Sequence, residues 1–486
     1  MEFTFVIVGG GIAGVSCAEQ LCMLNPNESV ALVSSSSLVK AASNVQQITQ
    51  TLQSFDVEEK KGSFLEALYP NLKVVFLPAT GLNAEKKELY LEENCIIKYE
   101  KLCICTGATP KIIAKDNPYV LGIRDTETVQ IFQKKLQNAR RIIVVGNGGI
   151  ATELVYEIEN CQIIWSIKDK SVGSTFFDPG VAEFFLPHLS EEKCPKRDNF
   201  IKHTKYISDS DQSTNFSNSP GSALGPDWSS NILMKGDSPK MHDVHIEYSC
   251  EVEDIYERNE FLSKNIQETE LKLNLSNDKR DWPIFVKLTN GKVYGCDFIV
   301  SATGVIPNTK PFTSLSKINL ANDGGILVDD QMRTNIPDLY AAGDVCTAGW
   351  NHASHWFQMR LWTQARQMGA YAARCLSSHY HNEETMLDFC FELFEHVTKF
   401  FGYKVVLLGL YNGQKLGNDY ELLVRVTKGK EFVKVILRNG KMEGAILVGE
   451  TDLEETFENL ILNQIDLSQY GEDLLNPTID IEDYFD

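Results

Sequence analysis

Two glycine-rich turns, one at Gly9 and one at Gly146, constrain this 486-residue chain more than any other feature. The first lies in residues 5–14 (FVIVGGGIAG) and the second in residues 142–151 (IIVVGNGGIA). Each follows a β-branched apolar run and precedes a helical pattern, which is the layout of a βαβ unit that cradles a dinucleotide. In such a unit the first glycine makes the tight turn. The second lets backbone N–H groups approach a pyrophosphate at the helix N-terminus, and the third small residue lets helix and strand pack closely. One such turn is weak evidence. Two in the correct context imply two dinucleotides, and electron transfer between them is the chemistry that such a pair most readily serves.

The length suits two or three domains with buried cores. Apolar residues make up 43% and charged residues 23%, an ordinary globular balance that excludes wholesale disorder. A net charge of −20 argues against broad binding to nucleic acid or anionic membrane. Strand 3–8 begins almost at once, no charged leader precedes it, and no apolar run reaches spanning length, so a soluble intracellular chain is expected. The twelve cysteines are scattered. Several fall inside expected strands or helices (Cys17, Cys103, Cys105, Cys161, Cys296, Cys375) and read as reduced thiols. Cys103 and Cys105 share one face of a strand but have no accompanying histidine or second cysteine pair. His352 and His355 read as loop or helix-start residues, so no metal site is expected. Trp350, Trp356 and Trp362 read as packing residues.

Periodicity predicts a first unit of strand 3–8, helix 13–24, strand 29–33 and strand 101–106. A second unit follows: strand 141–145, helix 150–158, strand 162–167. Residues near 190–240 and 258–280 are polar and read as surface insertions, loop-like or partly disordered. Strands 284–288 and 298–301 read as the arms of a hairpin about Asn290-Gly291. Strand 325–328 and helix 361–376 come next, then a polar break at 377–384. Strands 404–408, 420–426, 432–438 and 444–448 and a helix at 453–463 form a separate antiparallel domain. The acidic end, 479–486, reads either as a solvated tail or as a docking motif.

Five motifs occur in a fixed order: the Gly9 turn, TGATP at 106–110, the Gly146 turn, SATGVIPN at 301–308 and AAGD at 341–344. Together they resemble the pyridine nucleotide–disulfide oxidoreductase family of flavoproteins, and the resemblance covers most of residues 1–376. It implies an α/β fold with two Rossmann-like dinucleotide-binding domains, for FAD and for NAD(P)H, plus a C-terminal α+β domain with an antiparallel sheet. The implied FAD domain is split over 1–115 and 305–385. The NAD(P)H domain takes 116–304 and the C-terminal domain 386–486. On the FAD side the resemblance implies Gly9, Gly11, Ile12, Ala13 and Gly14 at the pyrophosphate, and Asp344 at the ribityl and phosphate region. Ser34, Ser35, Thr106 and Gly107 are further expected FAD contacts. For NADH or NADPH it implies Gly146, Gly148, Gly149, Ile150 and Ala151, with Lys168 and Gly304. Glu153 matches the family's glutamate near the nicotinamide.

Departures from the family pattern bear on function. The acid that binds the adenosine ribose at the end of the second strand is replaced by Ser34 and Ser35. In the second unit Ile167 stands at the corresponding place. Lys168 beside it suits a 2′-phosphate and Asp169 a ribose hydroxyl, which leaves NADH and NADPH both open. Disulfide reductases carry CxxxxC at the start of the helix after the second FAD strand. Here the stretch 37–46 has no cysteine. The histidine–glutamate relay of glutathione-reductase-like members is also missing, and Cys346 is the cysteine nearest Asp344 in sequence. Lys40 in that stretch has two readings: a cation at the flavin N5 edge, as in some relatives, or a solvated surface lysine.

Segments 391–401, 404–408, 449–463 and 222–228 and the DIEDYFD ending resemble one eukaryotic member in particular. That resemblance implies a cytoplasmic and nuclear FAD protein that oxidises NAD(P)H and protects the tRNA ligase complex from oxidative inactivation. Direct nucleic-acid or membrane binding is not expected. Two rival readings are a shielding protein that holds reduced FAD with NAD(P)⁺ and turns over only incidentally, and a thiol or disulfide reductase.

Overall fold

The computed structural model describes residues 1–189, 234–238, 242–271 and 281–476. Its first apolar run forms β1 (Glu2–Val8), and the glycine turn sends the chain into α1 (Ile12–Leu24) and back along β2 (Val30–Ser34). β1 and β2 run parallel, with Phe5 beside Val30. β2 is buried on both faces, and so it reads as an unbroken apolar run. β3 (Leu38–Gln47) and β4 (Gln53–Lys61) then form an antiparallel ribbon. α2 (Gly62–Leu68) leads to β5 (Leu72–Phe76), parallel to β2. β6 (Ala79–Asn83) and β7 (Glu88–Leu91) bring the chain to β8 (Ile96–Ile104), parallel to β1. The sheet order is β5-β2-β1-β8-β7-β6.

β9 (Ala108–Pro110) leaves this layer for a second one, which begins with β10 (Val120–Leu121). α3 (Thr126–Leu136) starts on a capping box: Asp125 Oδ1 accepts the Thr128 N–H at 2.8 Å, and Thr128 Oγ1 accepts the Asp125 N–H at 3.0 Å. β11 (Arg141–Val145), α4 (Gly149–Glu157) and β12 (Gln162–Ser166) repeat the first βαβ unit, and α5 (Pro179–Phe185) follows. β13 (Asp243–Glu247) pairs parallel with β12. β14 (Val252–Glu257) and α6 (Arg258–Ser263) precede the hairpin β15 (Ile284–Leu288) and β16 (Val293–Cys296). β17 (Phe298–Ser301) returns to the parallel sheet, whose order is β10-β17-β11-β12-β13.

Two expectations need correction in this layer. The Asn290-Gly291 turn closes β15 onto β16, not onto 298–301. β17 is buried at all four positions and lies parallel to β11, where a strand needs apolar residues on both faces. The polar segment expected from 258 opens with α6, because Phe261 stacks on Phe285 at a centroid separation of 3.7 Å. Of the insertion near 190–240, residues 234–238 are described beyond 189, and Met234 is buried there. Residues 222–228 and the 479–486 tail lie outside the described residues.

β18 (Val305–Pro307) pairs antiparallel with β9, so the outgoing and returning crossings form one ribbon between the layers. α7 (Lys310–Thr313) and β19 (Ile326–Val328) lead to β20 (Leu339–Ala341), which rejoins the first sheet beside β8. After β21 (Cys346–Ala348), α8 (Trp362–Tyr380) packs on α1. At the crossing a Cβ on Gly369 would lie 2.2 Å from the Ala13 carbonyl oxygen. α8 runs past the expected end at 376, because its last polar residues have tertiary partners. Ser377 Oγ bonds Asn25 Oδ1 at 3.2 Å and His379 Nδ1 bonds the Tyr340 hydroxyl at 2.7 Å.

The C-terminal sheet contains β22 (Glu395–Phe400), β23 (Tyr403–Gly409), β24 (Glu421–Thr427), β25 (Glu431–Arg438) and β26 (Lys441–Val448), in the order β22-β23-β26-β25-β24. α9 (Glu454–Asn463) packs against β26 and β23. The tip of the β3–β4 ribbon is built into this domain, where Leu52 is fully buried in the core with Leu393, Val406 and Phe457. Among the described residues no helix is long and apolar enough to cross a membrane.

Candidate active site

Gly9 has φ +130°, and a Cβ there would lie 2.1 Å from the Cys105 carbonyl oxygen. A Cβ on Gly14 would lie 1.9 Å from the Gly9 carbonyl oxygen, so turn, helix and β8 touch backbone to backbone. Gly11 differs: a Cβ there would meet nothing within 4 Å. It is the N-cap of α1, makes no side-chain cap, and no acid follows in the first turn. An uncapped, acid-free helix start beside open space fits a pyrophosphate.

The second turn repeats this geometry. Gly146 has φ +132° and would place a Cβ 2.1 Å from the Ala302 carbonyl oxygen. Gly148 opens onto empty space and N-caps α4 without a side chain, again with no acid in the first turn. Gly149 and Ile150 begin that helix, and Ala151 is buried at the third small position. Asn147, buried within the turn, is a clamp that sequence reasoning did not assign. Its Nδ2 donates to Asp169 Oδ2, the Ser171 carbonyl and Ser174 Oγ, each at 2.9 Å, and its Oδ1 accepts the Gly173 N–H at 2.6 Å. Trp165 Nε1 donates to the Gly146 carbonyl at 2.7 Å.

Register fixes which residues end the second strand of each unit at equivalent places. The Gly9 N–H bonds the Val33 carbonyl at 2.8 Å and the Gly146 N–H bonds the Ser166 carbonyl at 3.1 Å. Ser34 and Ile167, the next residues, are therefore equivalent. Ile167 is buried. Ser34 is buried too, and its hydroxyl serves a local turn: it donates to the Ser36 carbonyl at 2.9 Å and accepts the Ser36 N–H at 3.2 Å. Ser35 beside it is half-buried. Lys168 is exposed, whereas the Asp169 carboxylate is drawn under the turn by Asn147.

Asp344 follows β20 in a recess next to the start of α1, where a Cβ on Gly343 would lie 2.8 Å from Ala13 Cβ. The Asp344 carbonyl accepts Arg360 Nε at 2.9 Å, but its carboxylate has no hydrogen-bond donor among the described residues. Burial pushes this carboxyl up to about 6, against the pull of Arg360. An acceptor left without donors in a recess suits the hydroxyls of a ribityl chain.

At the crossings, Thr106 Oγ1 donates to the Asn308 carbonyl and Asn308 Nδ2 returns a bond to the Thr106 carbonyl, both at 2.9 Å. The Asn308 N–H donates to the Gly107 carbonyl at 2.9 Å. Thr106 and Gly107 thus join the two strands that link the layers. Gly304 precedes this knot, with open space at its Cβ position.

The stretch after β2, where dithiol members begin a helix, is here strand β3. Lys40 is not a solvated surface residue. Its side chain is 5% exposed and forms an ion pair with Glu59, directly opposite on β4. The Lys40 N–H donates to the Gly10 carbonyl at 2.9 Å, which ties the ribbon to the first turn. Glu153 lies half-buried on α4.

None of the described cysteines is in a disulfide. Cys346 is buried, donates to the Gly343 carbonyl at 3.3 Å, and burial pushes its thiol up. Cys103 and Cys105 lie 3.6 Å apart. Contact with Cys105 and Cys17, reinforced by burial, pushes the Cys103 thiol up as well. His355 pairs with Glu443 at 2.8 Å, and Trp350 stacks on Trp356. Among the described residues no group of three metal-ligating side chains converges.

A model of the family described as pyridine nucleotide-disulphide oxidoreductase matches residues 3–192 and 241–369. The chain is 55% identical over 487 residues to pyridine nucleotide-disulfide oxidoreductase domain-containing protein 1 of Danio rerio, covering 100% of this chain and 98% of that one. It is 53% identical over 492 residues to the protein of that name from Rattus norvegicus, covering 99% and 98%. Among solved structures, an NAD-dependent persulfide reductase from A. fulgidus shares the fold at a TM-score of 0.67 and 16% identity, covering 99% of this chain and 79% of that one.

Proposed function

The chain belongs to the pyridine nucleotide-disulphide oxidoreductase family, and from that premise we propose that it oxidises NAD(P)H through FAD and passes the electrons to an acceptor outside the chain. The cofactors are FAD and NAD(P)H. FAD, when bound, accepts two electrons from a nicotinamide and releases them to a second partner. The observation that carries the proposal is the pair of open glycine positions, Gly11 and Gly148, each at an uncapped helix start.

In this reading α1 and Gly11 hold the FAD pyrophosphate, and Asp344 accepts hydrogen bonds from the ribityl chain. α4 and Gly148 hold the NAD(P)H pyrophosphate, with Glu153 on the nicotinamide side and Lys40 at the flavin edge. Lys168, exposed and next to Ile167, would meet the adenosine ribose or its 2′-phosphate. The cysteine-free strand β3 supports an external acceptor, as does the burial of Cys346, which pushes its thiol up. The resemblance to the eukaryotic relatives extends the proposal: the chain works in cytoplasm and nucleus and protects the tRNA ligase complex from oxidative inactivation.

Anaerobic mixing with NADH or NADPH, followed by flavin absorbance, tests the core of this. Bleaching that stops at two electrons per flavin supports it. Uptake of a further pair would instead favour a thiol or disulfide reductase. The cysteine-free β3 also suits a shielding role, whose signature is a lasting long-wavelength charge-transfer band with slow turnover. Ligase activity under peroxide, with and without this chain and NAD(P)H, tests the protective role. Equal loss in both samples would remove it.

A further inference from the structure

We infer that Lys434, on the C-terminal sheet, is a positioning residue for the nicotinamide dinucleotide: through Asp178 it holds the loop 169–178 against the second glycine turn. The inference rests on the NAD(P)H reading above. This loop leads from β12 to α5, and its two ends are gripped from different sides. At the near end Asn147, inside the turn, holds Asp169, Ser171, Gly173 and Ser174. At the far end the grip comes from the C-terminal domain. The Tyr411 hydroxyl donates to the Thr175 carbonyl at 3.3 Å, the Phe176 ring meets Phe400 at a centroid separation of 5.2 Å, and Lys434 Nζ forms an ion pair with Asp178. The Phe176 and Phe177 N–H groups both donate to the Gly173 carbonyl at 2.8 Å, which joins the two grips in one hydrogen-bonded turn.

Lys434 is 1% exposed, and its Nζ also donates to Asn412 Oδ1 at 2.9 Å. Burial pulls its ammonium down and Asp178 opposes this. The Asp178 carboxylate is shared: one oxygen accepts the Val181 N–H at 3.0 Å and caps α5, and the other takes the lysine. An apolar side chain in place of Lys434 would also remove the desolvation cost of its charge, so such a variant can fold as stably as the parent.

The loop also meets the cradle itself. A Cβ on Gly149, the first residue of α4, would lie 3.5 Å from the Phe176 ring and 3.9 Å from the Phe400 ring, whereas Gly148 before it opens onto empty space. The helix start that receives the pyrophosphate in this reading is thus walled on one side by the loop and by the C-terminal domain. Breaking the tie at Asp178 loosens that wall and takes the far anchor from the residues that Asn147 holds. A cradle that is less well preorganised binds its dinucleotide more weakly. Lys434 acts on the ligand only through this loop.

The test uses the FAD-loaded full chain, titrated calorimetrically with NAD⁺ and with NADP⁺, neither of which reduces the flavin. In Lys434→Met the dissociation constant is expected to rise about fivefold, the equivalent of about 1 kcal/mol. In anaerobic reduction by NAD(P)H the half-saturating concentration should rise by a similar factor, while the limiting rate of bleaching, the FAD content and the melting temperature stay at the parent values. Asp178→Asn keeps a residue suited to the helix cap and breaks the ion pair, so it should do the same, and it decides the matter should Lys434→Met fail to fold. In the Asn147→Ala background, where the loop is already detached from the turn, Lys434→Met should add nothing. Unchanged binding and half-saturation in Asp178→Asn, or an equal rise in the Asn147→Ala background, would overturn the inference while leaving the NAD(P)H reading intact. A parent chain that neither binds NAD(P)⁺ nor is bleached by NAD(P)H would overturn both.

Discussion

At Gly9 and at Gly146 the backbone takes nearly the same angle, +130° and +132°, and each glycine presses against a carbonyl of a neighbouring strand. The two turns part company in what holds them. The interior residue of the first is Gly10, which lies flat on Ser34 and Val39 and is held by a main-chain bond from the β3–β4 ribbon. The interior residue of the second is Asn147, whose amide makes four hydrogen bonds to the loop after β12. The third position differs as well. Gly14 has no room for a methyl, whereas the second turn accommodates Ala151. The first cradle is thus tied by backbone to a structure outside its βαβ unit, and the second is closed by one side chain within its own domain. The first suits a resident cofactor and the second a ligand that comes and goes.

The largest effect should come from the two first glycines. Gly9→Ala combines a disfavoured backbone angle with a collision at 2.1 Å against Cys105, and the backbone strain alone costs about 1–3 kcal/mol. The purified variant should melt several degrees lower and carry no FAD absorbance. Gly146→Ala should keep FAD and lose bleaching by NAD(P)H. If it loses FAD too, the two cradles are not independent.

A smaller effect is expected from Asn147→Ala, which strips partners from several polar groups at a cost of about 1–3 kcal/mol. Loosening of residues 169–174 should raise the NAD(P)H dissociation constant about tenfold, the equivalent of about 1.4 kcal/mol. FAD content should not change. Titration calorimetry and absorbance read the two sites separately.

The smallest effect concerns the far end of the ribbon that supports the first turn. There Thr51 Oγ1 bonds Glu395 Oε2 at 2.5 Å, Gln367 Nε2 bonds Glu395 Oε1 at 2.9 Å, and Thr49 Oγ1 bonds Glu458. Burial pushes the Glu395 carboxyl up to about 8; Thr51 and Gln367 oppose the shift and Glu458 adds to it. An unfolded glutamate releases its proton near 4.5. The folded state therefore keeps a proton that the unfolded chain has lost between about 4.5 and 8, and stability falls as pH rises through that window. Hydrogen exchange at residues 48–52, after correction for the intrinsic rise of exchange rate with pH, should quicken between about pH 5 and 8, and Glu395→Gln should flatten that dependence. The second turn, which has no such tie, should show no matching change.

Both βαβ units were legible because their parallel strands are buried on both faces and bounded by glycine turns. The strand read at 141–145 is β11 to the residue. The ribbon was not legible. Lys40, Ser43 and Asn44 pair with Glu59, Glu58 and Asp56 across the ribbon, and these polar residues mask the short buried apolar stretch of Val39 and Ala41. Their partners lie on the opposite strand or in another domain. β22 escaped for the same reason, since Glu395, His396 and Thr398 are polar in sequence and buried in the fold. The Asn290-Gly291 turn announced a hairpin but could not say which following strand closes it. Glycine spacing disclosed where Gly11 and Gly148 would sit, but the clamps at Asn147 and Asn308 depend on partners distant in the chain.

Thr49 and Glu458 are 409 residues apart in sequence, yet they meet at the ribbon tip. During synthesis the tip has nowhere to settle until the C-terminal domain has emerged, and contacts of such long range form late. The first βαβ unit can close early, but the ribbon strand that braces its glycine turn must wait for nearly the whole chain. A chain cut before residue 386 is therefore expected to purify without flavin absorbance, because the brace on its first glycine turn has no anchor.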